Sequence, residues 1–279
     1  ILQNTLSNSN YAITFAGGTY TISPRPIAVG AVAGQGKVYG NADAVYQWQL
    51  LNGNFIGSDT LSGSLSRDAG ENVGSYAFHL GTLSNNNYAV TFISGNQYAI
   101  TQRAITVTGN AGQGKIYGDS DPASLTWQVT TGALVAGDVL TGSLVRASGE
   151  TVGAYVISQG TLNNANYAIT YVSANFTISP RPLTVTADSG KTKVYGNPDP
   201  SFTYQITSGN LVFGDTLSGT LGRTPGENVG SYAITLGSLG NSNYAITLVS
   251  NPMTITARPI SVTPNSGQNK TYGNADPQF

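Results

Sequence analysis

Lys37-Val38-Tyr39-Gly40 returns as Lys115-Ile116-Tyr117-Gly118, as Lys193-Val194-Tyr195-Gly196 and as Lys270-Thr271-Tyr272-Gly273. The four lysines stand 78, 78 and 77 residues apart. Arg25, Arg103, Arg181 and Arg258 keep the same intervals, and Tyr11, Tyr88, Tyr167 and Tyr244 follow at 77, 79 and 77. The one-residue wobble is local: four residues separate Pro122 from Trp127, whereas three separate Pro200 from Tyr204. Self-similarity at a fixed period marks a tandem array. The chain therefore divides into the tail of one repeat (1–24), three whole repeats (25–102, 103–180 and 181–257) and the head of another (258–279). Ile1 opens it and its one methionine is Met253, which predicts a piece cut from a longer protein.

Within each repeat the apolar period is 2, the period of a strand with one buried face. Tyr88, Val90 and Phe92 alternate with Ala89 and Thr91, and Tyr167, Ile169 and Tyr171 repeat the pattern. Ile27 and Val29, Tyr76 and Phe78, and Tyr98 and Ile100 mark further strands of the first whole repeat. Six or seven short strands per repeat are expected. Glycine pairs with glutamate between strand-like runs at Gly70-Glu71, Gly149-Glu150 and Gly226-Glu227. The segment Leu211–Asp215 is read as one helical turn, and nothing supports a long amphipathic helix. The fold class is mostly β: a tandem array of small β-grasp-like or β-sandwich-like modules strung end to end, with little or no helix.

Ser23-Pro24-Arg25-Pro26 and Ser179-Pro180-Arg181-Pro182 stand between repeats, while Gln102-Arg103-Ala104 lacks both prolines. Proline fixes φ and pushes the preceding residue to extended conformations. With no Gly/Ser spacer, one strand is expected to run almost straight from repeat to repeat, giving a semi-rigid, elongated array.

Composition removes several function classes. Charged residues are 9% of the chain, against ~25% in ordinary proteins. Formal net charge is −1, with 12 basic and 13 acidic residues, so the phosphate neutralisation behind nucleic-acid binding is not in prospect. There is no cysteine and one histidine, which excludes disulfides, thiolate catalysis and multi-histidine metal sites. No apolar run approaches the ~20 residues of a membrane-spanning helix, so no membrane insertion is expected of this segment.

Taken together, Arg-Pro-Leu-Thr-Val-Thr from Arg181, Lys-Val-Tyr-Gly-Asn-Pro-Asp-Pro from Lys193, Gly-Asp-Thr-Leu-Ser-Gly from Gly214, Gly-Glu-Asn-Val-Gly-Ser-Tyr from Gly226 and Asn-Tyr-Ala-Ile-Thr from Asn243 resemble the MBG domain (YGX type) and the related YDG repeats. The resemblance covers the chain repeat after repeat. Repeat 25–102 departs from it at Ala44, where Pro122 and Pro200 stand in the next two. Such modules occur in tandem in very large bacterial surface and secreted adhesins, including filamentous-haemagglutinin-like proteins. The resemblance implies an extracellular or cell-surface location and a role in a stalk, fibre or biofilm matrix, and it transfers no catalytic residue.

Candidate chemistry is sparse. His79 aligns with Ser158 and Thr235 and belongs to the polar face, so it reads as a surface residue. Asp119-Ser120-Asp121 hints at calcium, but hard cations want about six oxygens or more, and the other repeats keep only Asp43 and Asp199; a turn-capping Asp is the better account. Asp59, Asp138 and Asp215 are read as acceptors of backbone N–H groups in turns. Arg67 with Glu71, Arg146 with Glu150 and Arg223 with Glu227 read as partly exposed ion pairs. The recurrent Lys37, Lys115 and Lys193 leave open an intramolecular Lys–Asn amide with glutamate as proton shuttle. Trp48, Trp127 and the tyrosines offer a sugar platform only if they face outward; their alternation assigns most of them to the core. No catalytic, cofactor-binding or metal site is assigned, and no cofactor is expected. The leading function is a structural stalk or fibre segment, with a glycan- or mucin-binding module as the alternative. Expected partners are the chain itself, through fibre formation or lateral association, or extracellular glycans and matrix.

Overall fold

The computed structural model describes residues 1–278. The three whole repeats each form seven strands, and no helix occurs among the described residues. The first carries β1 (Arg25–Ala31), β2 (Gly36–Val38), β3 (Trp48–Asn52), β4 (Ser66–Arg67), β5 (Gly74–His79), β6 (Tyr88–Phe92) and β7 (Gln97–Thr101). The second carries β8 (Arg103–Gly109), β9 (Gly114–Ile116), β10 (Trp127–Thr131), β11 (Val145–Arg146), β12 (Gly153–Ser158), β13 (Tyr167–Val172) and β14 (Ala174–Ser179). The third carries β15 (Arg181–Ala187), β16 (Thr192–Val194), β17 (Tyr204–Ser208), β18 (Gly222–Arg223), β19 (Gly230–Thr235), β20 (Tyr244–Val249) and β21 (Pro252–Thr256).

Each repeat splits its strands between two sheets. In the first, one sheet has the order β3-β1-β6 and the other β2-β7-β5-β4; the same orders recur as β10-β8-β13 with β11-β12-β14-β9, and as β17-β15-β20 with β16-β21-β19-β18. Strand β1 lies antiparallel to β3 and parallel to β6, with Ile27 opposite Val90. Pro26 sits in β1 before the pairing with β3 begins at Ala28, so its missing N–H breaks no rung on that side.

Alternation decides what is buried. On β1, Ile27 and Val29 are buried; on β5 and β7, Phe78, Tyr98 and Ile100 are. Leu61, Leu65 and Leu83 fill in from the connecting loops. Burying each such side chain contributes ~1.5–3 kcal/mol, which a module this small needs. The third repeat repeats the scheme with Leu183, Val185, Ile234, Met253 and Ile255.

Contacts divide the chain into two compact units. The first holds residues up to Gly109, then Trp127–Leu144 and Gln159–Val172; the second holds Asn110–Thr126, Val145–Ser158 and the chain from Ser173 onward. Each unit therefore contains one whole repeat and one sheet of the second repeat. Residues 1–24 and 257–278 form no strand.

No spacer stands between repeats. A single residue, Gln102, separates β7 from β8, and Pro180 alone separates β14 from β15. The expected helical turn at Leu211–Asp215 is instead a β-turn, closed by Asp215 N–H donating to Val212 O at 2.9 Å. Phe213 and Gly214 both have positive φ, 55° and 79°, which no right-handed helical turn accommodates.

Candidate functional site: the repeat junction

Each repeat gathers four of its charges at one place. Lys37 on β2 meets Asp43 at 2.6 Å and also pairs with Glu71. Arg67 on β4 donates through Nε to Asp43 at 2.9 Å and through Nη2 to Glu71 at 2.7 Å. Its Nη1 binds the carbonyls of Asp68 and Gly70 at 2.9 and 2.7 Å. The guanidinium lies 5.0 Å from the centre of the Tyr76 ring and 5.2 Å from that of Tyr98, close enough for cation–π attraction. The second repeat builds the same cluster from Lys115, Asp121, Arg146 and Glu150, and the third from Lys193, Asp199, Arg223 and Glu227.

The cluster is half interior. The Lys37 and Arg67 side chains are 5% and 6% exposed, Asp43 27% and Glu71 67%. Burial of Asp43 favours its neutral form, yet hydrogen bonds from Lys37, Tyr46 and Arg67 hold its carboxyl down to about 2. Arg146 and Lys115 bring Asp121 to about 2 as well, and Arg223 with Lys193 lowers Asp199. The lysines move the other way: burial works against the charge of Lys37, but Asp43 and Glu71 more than offset it and raise the ammonium pKa. Two cations and two anions neutralise each other, which locks the residues together and leaves no free base for proton transfer.

This geometry corrects the expectation of turn-capping aspartates and speaks against the calcium and crosslink alternatives. Asp43, Asp121 and Asp199 do not cap turns; their oxygens take lysine and arginine donors. Asp119-Ser120-Asp121 is not a cation cradle, since Asp119 is bound to Arg181 at 2.8 Å and Asp121 to Lys115 at 2.7 Å. The lysines face Asp and Glu carboxylates instead of an Asn amide, so the Lys–Asn crosslink has no partner. His79 stays on the surface, where its Nε2 lies 2.7 Å from Asp68.

A second constellation joins one repeat to the next. Within the first unit, Tyr39 donates its hydroxyl to Asp138 Oδ2 at 2.9 Å, and Tyr167 donates to the same oxygen at 2.5 Å. The two rings meet edge to face, with centroids 5.6 Å apart. Arg103 donates to Tyr39 O at 2.9 Å and to Asn41 Oδ1 at 2.6 Å. Val73 N–H donates to Asn166 Oδ1 at 3.0 Å. Gly40, at φ +80°, brings bare backbone against Val135; a Cβ there would stand 2.3 Å from Val135 Cγ2.

Within the second unit the same set returns. Tyr117 and Tyr244 both donate to Asp215 Oδ2 at 2.9 Å, with ring centroids 5.6 Å apart. Arg181 donates to Tyr117 O at 2.9 Å, and Val152 N–H to Asn243 Oδ1 at 3.1 Å. Gly118 faces Val212. Asp138 and Asp215 thus accept tyrosine hydroxyls from two repeats, not the backbone N–H groups expected of them. The hydrogen bond to Asp138 comes first among the causes that raise the Tyr39 pKa, and burial with Asp215 raises that of Tyr117.

Sequence reasoning missed this junction. Its signal was present: Tyr follows Lys by two in every repeat, and Asp59, Asp138 and Asp215 each precede a Tyr by 29 residues. Most strand aromatics turn inward, with Tyr88, Tyr98, Tyr167 and Phe176 buried and Trp48 packed edge-on against Phe55 at 6.2 Å, while Phe213 and Tyr195 are 73% and 47% exposed.

Helix-free repeats, the first and the third each with an apolar core of its own and both repeat boundaries with the same contact, define a tandem β-module array. The description MBG domain (YGX type) matches residues 27–103, 105–177 and 183–254. The chain belongs to that family, whose members are modules of bacterial surface and secreted adhesins; its setting is extracellular or at the cell surface. No curated protein matches the chain. Among solved structures, the N-terminal four Ig domains of Dscam1 isoform 4.4 align over 83% of this chain and 73% of that one, at 15% identity and a TM-score of 0.25. That likeness is too slight to argue from.

Proposed function

We propose that these repeats form a structural segment of a very large bacterial extracellular adhesin or matrix protein, where they set reach and stiffness, with 25–102, 103–180 and 181–257 as its modules. The observation that carries this reading is the junction. The same tyrosine–carboxylate–tyrosine contact, arginine clamp and glycine-on-valine seat occur at both places where one repeat meets the next. A one-residue connection leaves little slack for swivelling, and a contact with several partners resists bending about it. No helix among the described residues is long and apolar enough to cross a membrane.

The burial of Tyr88, Tyr98, Tyr167 and Phe176 favours this reading over a glycan- or mucin-binding module, which needs a platform of exposed rings to stack on sugars. Small-angle scattering is the test: the maximum dimension is expected to correspond to three modules in extended succession. A compact globule would contradict the proposal.

A further inference from the structure

Asn52-Gly53 is the one Asn-Gly pair in the sequence. Asn52 is the last residue of β3, opposite Ala28 of β1, and Gly53 opens the following turn at a φ of +83°. Thr131-Gly132 and Ser208-Gly209 hold the same place at the ends of β10 and β17, with φ of +74° and +77° at the glycines. All three turns press against the neighbouring strand. A Cβ on Gly53, Gly132 or Gly209 would stand 3.0, 2.9 or 2.7 Å from the carbonyl oxygen of Pro26, Ala104 or Pro182. Glycine alone suits that φ at that approach. The turn therefore fixes the glycine, and what varies between repeats is the residue before it.

Asn52 and Gly53 are exposed, and so are Thr131, Gly132, Ser208 and Gly209, which have a whole repeat before them. Solvent access at this place does not depend on whether a repeat precedes it. Gly53 N–H donates to Asn52 Oδ1 at 2.8 Å. Its nitrogen is thus paired with a side chain instead of a ladder carbonyl, and the carboxamide already stands against it. Glycine adds no side chain to hinder attack by that nitrogen. Thr131 and Ser208 offer a hydroxyl and no carbonyl carbon to attack.

We propose that Asn52 is a self-modifying site, at which the first whole repeat converts an amide to a carboxylate with water as the co-reactant. Hydroxide removes the Gly53 N–H proton, the nitrogen attacks Asn52 Cγ, and the Cγ–Nδ2 bond breaks as ammonia leaves with a proton from solvent. A five-membered imide joins Cγ to the Gly53 nitrogen. Water then opens either of its carbonyls, giving aspartate or isoaspartate. One water enters, one ammonia leaves, and nothing is oxidised or reduced. The added carboxylate takes the formal net charge from −1 to −2. In isoaspartate the main chain runs through the former side chain, which inserts a methylene where β3 begins its pairing with β1. The change falls on the first whole repeat alone and stands independently of the stalk reading.

The test incubates the full folded chain in mildly alkaline and mildly acidic buffer, beside a urea-unfolded sample. Peptide mapping by mass spectrometry follows each asparagine, isoaspartate is identified by enzymatic methyl transfer, and unincubated protein corrects for conversion during digestion. In the folded chain Asn52 is expected to convert faster than every other asparagine, faster still in alkali, and within a few-fold of its unfolded rate. Asn52→Ser, which places there the residue type of the third repeat, should abolish the isoaspartate signal of this peptide. The hydrolysed product gains mass, which separates it from the ammonia loss of a lysine crosslink. Conversion confined to the unfolded chain overturns the proposal, as does a folded chain in which Asn52 keeps its amide or converts no faster than the exposed Asn54.

Discussion

Replacing Asp43 with Asn keeps the side chain's shape and removes its charge. Lys37 and Arg67, 5% and 6% exposed, then lose the carboxylate that both of them share. Breaking a fully buried ion pair costs ~3–5 kcal/mol, and losing an exposed pair ~0–1 kcal/mol. Asp43 is itself 27% exposed, and Glu71 stays within reach of both cations. The expected loss therefore lies between those limits, at about 2 kcal/mol. Glu71→Gln, at a site 67% exposed, should cost less than Asp43→Asn. Trp48 lies in the first repeat and Trp127 in the second, and these are the chain's two tryptophans. In a Trp127→Phe background, Trp48 fluorescence during urea unfolding reports on the repeat being perturbed. A change below about 0.5 kcal/mol, or a larger effect from Glu71→Gln, would refute the idea that the buried cations depend on Asp43.

The remaining expectations concern pH, the junction glycine and covalent state. Asp43 and Asp121 sit at about 2 in the folded chain, below the ~3.9 of an unfolded aspartate; stability should be complete above about pH 4 and drain away as pH falls toward 2. Lys37 and Lys115 are raised above 10.5 and Tyr39 and Tyr117 above 10.0, so a second loss is expected as pH climbs past about 10; urea midpoints across pH check both limbs. Gly40→Ala should destabilise more than Gly34→Ala: both have positive φ, a strain of ~1–2 kcal/mol, but only at Gly40 does the new methyl meet a neighbour, Val135. Intact mass spectrometry should return the unmodified sequence mass of 28.9 kDa, because each lysine is held by carboxylates as an ion pair; loss of ammonia or water would contradict the ionic reading.

The strands were legible because a two-residue period states directly which side chains are buried, as Ile27, Val29, Tyr98 and Ile100 are. Repetition at a fixed interval likewise pointed to Gln102-Arg103-Ala104 and Ser179-Pro180-Arg181-Pro182 as junctions without a spacer, and one residue separates the strands at each. Partners were harder, since alternation assigns a face but not what meets it. Asp43 stands beside a turn and reads as its cap until the fold brings in Arg67 from 24 residues away. Tyr39 and Asp138 lie 99 residues apart, so nothing local links them. At Leu211–Asp215 an apolar run looked helical, and the positive φ of Phe213, a non-glycine residue, carries no mark in the sequence.

Adjacent repeats are held together by side-chain contacts and not merely tethered. The most direct measurement is a double-mutant cycle on Tyr39→Phe and Asp138→Asn, read as unfolding free energy. A hydrogen bond to a carboxylate contributes ~1.5–3 kcal/mol, and Asp138 keeps Tyr167 when Tyr39 is removed, so a coupling of about 1 kcal/mol is predicted. Simple additivity of the two substitutions would mean that the repeats hang independently on their linkers.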